Sequence, residues 1–154
     1  MNYFEGNYSG KNLKIAIVVG RFNSHFTEEL VKGAKDCLIR HEVNQNNIDV
    51  FYVPGSLEIP FIIRQVAATN KHHGVIALGA VIRGETSHFD IVSNEVAKGI
   101  AQLNLTLSIP TSFGVITVDT LEQAINRSGA KSGNKGFDAA LSLLETINLT
   151  NQLK

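Results

Sequence analysis

Four times along the chain, a short apolar run rich in β-branched residues gives way to a stretch whose apolar residues recur at three- and four-residue steps. That alternation limits the possible folds more than any other feature, because the first pattern makes buried strands and the second makes amphipathic helices. Residues 13–19 (LKIAIVV) form the first run, closed by Gly20, and read as a strand buried on both faces. A helix follows from Ser24, with Phe26, Leu30, Ala34, Cys37, Leu38 and His41 along one stripe. Ile48–Val53 is the second run, closed by Pro54 and Gly55. Ser56 is the expected cap of the next helix, which buries Ile59, Ile62, Ile63 and Val66 and tolerates Pro60 in its first turn.

The third run begins at Val75, loosens at Gly79 and ends at Ile82, and it feeds a helix carrying Phe89, Val92, Val96, Ile100, Leu103 and Leu107 on one face. Residues 112–118 (SFGVITV) are the fourth run. A short helix then ends near Arg127 with Gly129 as its cap. After a polar loop over residues 128–136, a closing helix sets Phe137, Ala140, Leu141, Leu144 and Ile147 on one face. Right-handed crossovers between successive strands turn this order into an α/β fold, a flavodoxin-like three-layer α/β/α arrangement around a four-stranded parallel sheet. The 154 residues suit one domain, read as residues 13–154 behind a loose polar arm at 1–12.

Fourteen basic residues balance fourteen acidic ones, so no long-range field draws the chain to nucleic acid or to an anionic membrane. With one cysteine there is no internal disulfide, and no run is long and apolar enough for a membrane span or a secretion signal. The expectation is a soluble cytoplasmic protein with neither nucleic acid nor membrane as partner.

In an open parallel sheet, ligands bind beyond the carboxyl ends of the strands. The residues expected on that rim are Phe22 and Asn23, then residues 55–58, then 80–88, with Phe113 nearby on the fourth strand. They offer an aromatic plate, backbone amides and one histidine, His88, which is a candidate proton carrier. Gly84, Glu85 and Thr86 bring flexible backbone and a hydroxyl to a helix start, a setting that suits phosphate provided the Glu85 carboxylate turns away. Arg127 and Lys135 are candidate positive charges for the same anion. The segment around Gly133 is not a Walker loop, since Asn134 precedes Lys135 and Gly136 follows it. No G-x-G-x-x-G follows the first strand, which weakens a dinucleotide-binding reading, and no metal-ligand spacing emerges. Neither metal nor cofactor is expected.

Arg21-Phe22-Asn23 after the first strand, PGSLEIP at 54–60, GAVIRGETSHFD at 79–90 and the tail from Arg127 through SGNKGFDAA together resemble the 6,7-dimethyl-8-ribityllumazine synthase family. The resemblance spans almost the whole chain, with motifs at all four strand ends in order. It implies the penultimate step of riboflavin biosynthesis, a transferase reaction between 5-amino-6-(D-ribitylamino)uracil and 3,4-dihydroxy-2-butanone 4-phosphate. It also implies that Phe22 stacks on the pyrimidine beside Asn23, that Ser56, Leu57, Glu58, Ala80, Val81 and Ile82 contact it, and that His88 moves protons. Glu85 and Thr86 would lie at the phosphate. Phe113, Arg127 and Lys135 would close the pocket from a neighbouring subunit, Arg127 on the phosphate. Leu57 departs from the aromatic residue that relatives often carry at this position, which removes one stacking partner.

The same resemblance implies a homo-oligomer, a pentamer that in some relatives builds an icosahedral capsid, and an association with riboflavin synthase. Two other classes stand beside it: a non-catalytic flavodoxin-like module that binds flavin or a phosphorylated ligand, and a protein that is chiefly a shell former.

Overall fold

In the computed structural model, residues 1–129 and 133–154 are described, so part of the polar loop expected before the last helix (residues 130–132) lies outside the described residues. The elements run β1 (Ile15–Gly20), α1 (Ser24–Arg40), β2 (Ile48–Val53), α2 (Ile59–Ala68), β3 (Gly74–Ile82), α3 (His88–Thr106), β4 (Thr111–Val118), α4 (Leu121–Arg127) and α5 (Lys135–Gln152). The strands pair in the order β2-β1-β3-β4, all parallel, with Ile15 opposite both Ile48 and Gly74, and Val75 opposite Thr111. The α/β fold with its four-stranded parallel sheet is the one the alternation predicts.

Every residue of β1 is buried because both faces of the sheet are covered. Ile15, Ile17 and Val19 enter one core with Leu30, Leu38, Leu143 and Leu144, under α1 and α5. Ala16 and Val18 enter the other with Ile59, Ile63, Val96 and Ile100, under α2 and α3. Period-2 alternation thus splits one apolar run between two cores. Cys37 is fully buried in the first of these, and burial pushes its thiol up to about 11. Gly129 follows the end of α4 at φ 113°, a backbone conformation that suits glycine.

Residues 1–12 form neither helix nor strand, but they are fastened to the fold. The Asn148 side-chain amide donates to the carbonyls of Asn7 and Ser9, Gln152 donates to that of Glu5, and the Gly10 amide donates to the His41 carbonyl at 2.6 Å.

Two local expectations change. Ser56 caps no helix: Ser56–Glu58 is a 3₁₀ turn, and α2 starts at Ile59 with no side-chain cap and with Pro60 in its first turn. The reason is steric. Ser56 is packed against β3, where a Cβ on Gly79 would lie 2.7 Å from its Oγ. Gly79 therefore does not loosen the strand, which runs unbroken through it; the missing side chain makes room for the serine.

Candidate functional site

The carboxyl ends of β1, β2 and β3 are tied together by short bonds before any ligand is considered. The amides of Arg21 and Phe22 donate to the carbonyls of Val53 and Pro54 at 2.8 and 3.2 Å, which fixes the turn after β1 to the end of β2. Asn23 takes the left-handed conformation, φ 63° and ψ 44°, and its side-chain amide donates to the Ala80 carbonyl at 2.9 Å, which fixes the same turn to β3. Asparagine accepts this backbone geometry more readily than most residues.

These ties surround a cavity of about 370 Å³. Its walls are Phe22 and Asn23, residues 54–58, Ala80 to Ile82, and the start of α3 with His88, Phe89 and Val92. The volume suits a small molecule, and the lining has the expected composition of apolar surface with a few polar groups. Phe22 is 74% exposed and Leu57 48%, so neither is covered by its own chain. A flat ring can therefore lie against Phe22 without displacing any core residue. Phe89 and Val92 were legible in sequence only as part of a helix stripe; their place one and four residues after His88 is what brings them to the cavity.

The turn from β3 into α3 carries the expected anion-binding features. Gly84 is open, with nothing within 4 Å of where a Cβ would stand, and Glu85, Thr86, Ser87 and His88 are exposed. The Thr86 hydroxyl accepts from the His88 amide at 3.3 Å, while Ser87 at the helix start makes no side-chain cap. Arg83 brackets this turn. Its amide extends the β3–β4 ladder to the Val118 carbonyl at 2.9 Å, its Nε donates to Asp119 at 2.7 Å, and its Nη1 lies 3.3 Å from Asp90. The bond to Asp119, reinforced by both carboxylate charges, raises the guanidinium pKa further still.

Phe113 and Lys135 are elsewhere. β4 pairs with β3 so that Phe113 stands opposite Ala77 and Val118 opposite Ile82. Five residues at ~3.3 Å each put Phe113 about 16 Å below the rim. β4 does end on the rim, at Val118, but the cavity there is built from the ends of the other three strands, and Phe113 does not join them within this chain. With Lys135 it lines a second cavity of about 650 Å³ along the outer edge of β4, between the end of α3 and α5. Phe113 is 47% exposed there, and Lys135 pairs with Asp138 at 3.5 Å. Arg127, the last residue of α4, lines neither cavity and donates to the Gln123 carbonyl at 3.4 Å. Glu85 and Thr86 also stand outside both linings.

Among the described residues, no group of three or more His, Cys, Asp and Glu side chains gathers as a metal site, and no helix is long and apolar enough to cross a membrane. Comparison with known proteins gives one consistent result. The family model described as 6,7-dimethyl-8-ribityllumazine synthase matches residues 12–151. A protein of Kosmotoga olearia that bears the name 6,7-dimethyl-8-ribityllumazine synthase is 61% identical over 154 residues, covering 100% of this chain and 99% of that relative.

Proposed function

The chain belongs to the 6,7-dimethyl-8-ribityllumazine synthase family, and from that premise we propose that it is a transferase condensing 5-amino-6-(D-ribitylamino)uracil with 3,4-dihydroxy-2-butanone 4-phosphate. The products are 6,7-dimethyl-8-ribityllumazine, phosphate and water. The observation that carries this reading is the rim cavity, where an uncovered Phe22 and an exposed His88 line one space of suitable size. Family membership does not favour the non-catalytic binding module.

The chemistry asks three things of the site. The aromatic amine attacks the ketone and water leaves to give the imine, so a proton must leave nitrogen and another must reach the departing hydroxyl. Phosphate is then eliminated, and the second amine closes the ring with loss of water. His88 is the proton carrier in this scheme, beside the cavity and on a rigid helix start. Phe22 holds the pyrimidine by stacking, with Asn23, Ser56, Leu57, Glu58 and the Ala80 to Ile82 backbone around it. Glu85 and Thr86 supply the phosphate site through the helix-start backbone, with Arg127 as the cation. Holding amine and ketone together supplies much of the acceleration by itself.

Phe113, Arg127 and Lys135 belong, in this reading, to the wall that a neighbouring copy adds. The assembly is a pentameric ring, which in an icosahedral form would enclose further partners such as riboflavin synthase, and its place is the cytoplasm. The deciding experiment mixes the purified protein with both substrates and follows the lumazine chromophore alongside phosphate release. Both should rise together, one phosphate per lumazine. A rate no greater than that of the substrates alone would sink the reading.

A further inference from the structure

The Arg83 guanidinium lies outside the cavity lining, yet it touches three side chains around it, one just after β4 and two on α3. Nε donates to Asp119 just after β4 at 2.7 Å, Nη1 lies 3.3 Å from Asp90 in the first turn of α3, and the central carbon sits 4.3 Å from the centre of the Phe89 ring. Phe89 is part of the cavity wall. Residues 84–88 are all exposed, and a Cβ on Gly84 would touch nothing within 4 Å. Inside this loop, the side-chain bond present among the described residues is the one from the His88 amide to Thr86. Burial therefore does not fix the loop, whereas the bonds from Arg83 at one end to Asp90 at the other close it. Exposed ion pairs usually contribute little, but here one planar group meets two carboxylates and an aromatic face at once, a combination a lysine cannot reproduce.

We infer that Arg83 is a positioning residue for the proposed condensation, clamping the 84–88 loop and the Phe89 ring so that His88 and the helix-start amides are ordered before substrate arrives. Its charge is engaged by Asp90 and Asp119 and is not directed to the phosphate. The inference rests on the proposed reaction and extends it to a residue outside the cavity.

The test compares Arg83→Met, Arg83→Lys, the Asp90→Asn/Asp119→Asn pair and the triple variant Arg83→Met/Asp90→Asn/Asp119→Asn. Each is checked for helix content, melting temperature and assembly size before kinetics with both substrates varied. Arg83→Met should raise KM for the phosphorylated substrate and lower kcat, each by roughly tenfold, short of the about 10²-fold that a displacement of about 1 Å can cost. The pyrimidine KM should stay within about twofold, since Phe22 and residues 54–58 are held by other bonds. The asparagine pair should shift the same constants in the same direction, the triple variant should be no worse than Arg83→Met, and lysine should not restore activity.

Tighter binding of the phosphorylated substrate by the asparagine pair, with weaker binding by Arg83→Met, would make Arg83 a direct ligand and overturn the inference. Unchanged kinetics in every variant, or full activity in Arg83→Lys, would overturn it too. If Arg83→Met does not fold, Asp119→Asn carries the test, with a smaller shift of the same sign expected and no shift refuting. Failure of the wild-type protein to form lumazine would instead remove the underlying reaction.

Discussion

The separation of His88 from Phe113 and Lys135 leads to a prediction that mixes two inactive proteins. His88 lines the rim cavity, Phe113 and Lys135 line the groove along β4, and Arg127 lines neither, so one chain does not gather the whole proposed site. In a ring with head-to-tail contacts, each interface would take its His88 wall from one chain and its Arg127 wall from the next. Suppose His88→Ala and Arg127→Ala each keep ~1% of wild-type activity, the first through loss of an acid–base group and the second through loss of a charge-assisted contact to phosphate. After the two are dissociated, mixed equally and reassembled, about one interface in four pairs two intact walls, with the rest defective in one wall or both. Activity should then climb to roughly 25% of wild type, some twenty-five times either parent. The assay is the initial rate of lumazine formation per chain, with mass analysis of the reassembled particles to establish that both variants share one ring. Confirmed hetero-oligomers that show only the average of the two parents would mean that His88 and Arg127 act within one chain, and the shared-wall reasoning would fail.

Leu57→Phe should lower the pyrimidine KM several-fold, since an aromatic pair adds roughly 0.5–1.5 kcal/mol beyond area burial; a higher pyrimidine KM at an unchanged melting temperature would remove position 57 from the ring site. Gly79→Ala places a Cβ 2.7 Å from Ser56 Oγ and 3.4 Å from both Ile59 and Val115, so chemical denaturation should show a loss of about 1–3 kcal/mol, and an unchanged midpoint would show that Ser56 is not pinned there. Asp49 lies 2.7 Å from His72 Nε2 and 3.3 Å from Lys14, and the His72 bond above all holds its carboxyl below the usual 3.8. A lowered folded value contributes stability that is complete above the unfolded pKa and is lost as pH falls through the folded one. Urea unfolding from pH 7 to pH 3 should therefore show a shallower acid decline in Asp49→Asn than in wild type, and parallel curves would exclude the contribution.

The strands were legible because burial on both faces leaves nothing but apolar residues in β1 and β3, a pattern that solvent-exposed loops do not produce. Ile48–Val53 matches β2 at both ends, since Pro54 and Gly55 close it in sequence as they do in the fold. The stripe on α5 was only partly legible. It predicts Ala140, Leu144 and Ile147, yet Ala139 and Leu143 are buried as well. Gly114 and Gly74 on the sheet leave room for those two side chains, a long-range fit no helical period encodes. Asn134 served in sequence only to reject a Walker loop. Its carbonyl oxygen caps α5 by accepting from the amides of Gly136 and Phe137, while its amide donates to the Glu29 carbonyl on α1. A polar residue just before a helical pattern was the available signal.

Phe113 was misplaced for a different reason, and the reason bears on assembly. The rim residues of β1, β2 and β3 follow directly from where each run stops, but how far along β3 the fourth strand pairs is set by the crossover through α3, which has no local signature. Pairing Val75 with Thr111 leaves Phe113 partway along an edge strand. Among the described residues, the side-chain hydrogen bonds to the backbone of that strand are at its first residue, where Asn104 exchanges two with Thr111 at 2.8 and 2.9 Å. Exposed sheet edges are normally protected, because their backbone groups invite another chain. Here the exposed edge also carries Phe113 at 47% exposure and borders the groove with Lys135. A second copy seated with its rim against this groove would cover the edge and bring an aromatic ring and a lysine to a cavity whose own chain leaves Phe22 and Leu57 bare. One contact would thus answer two separate deficits of the isolated chain, an edge that lacks cover and a pocket that lacks a wall.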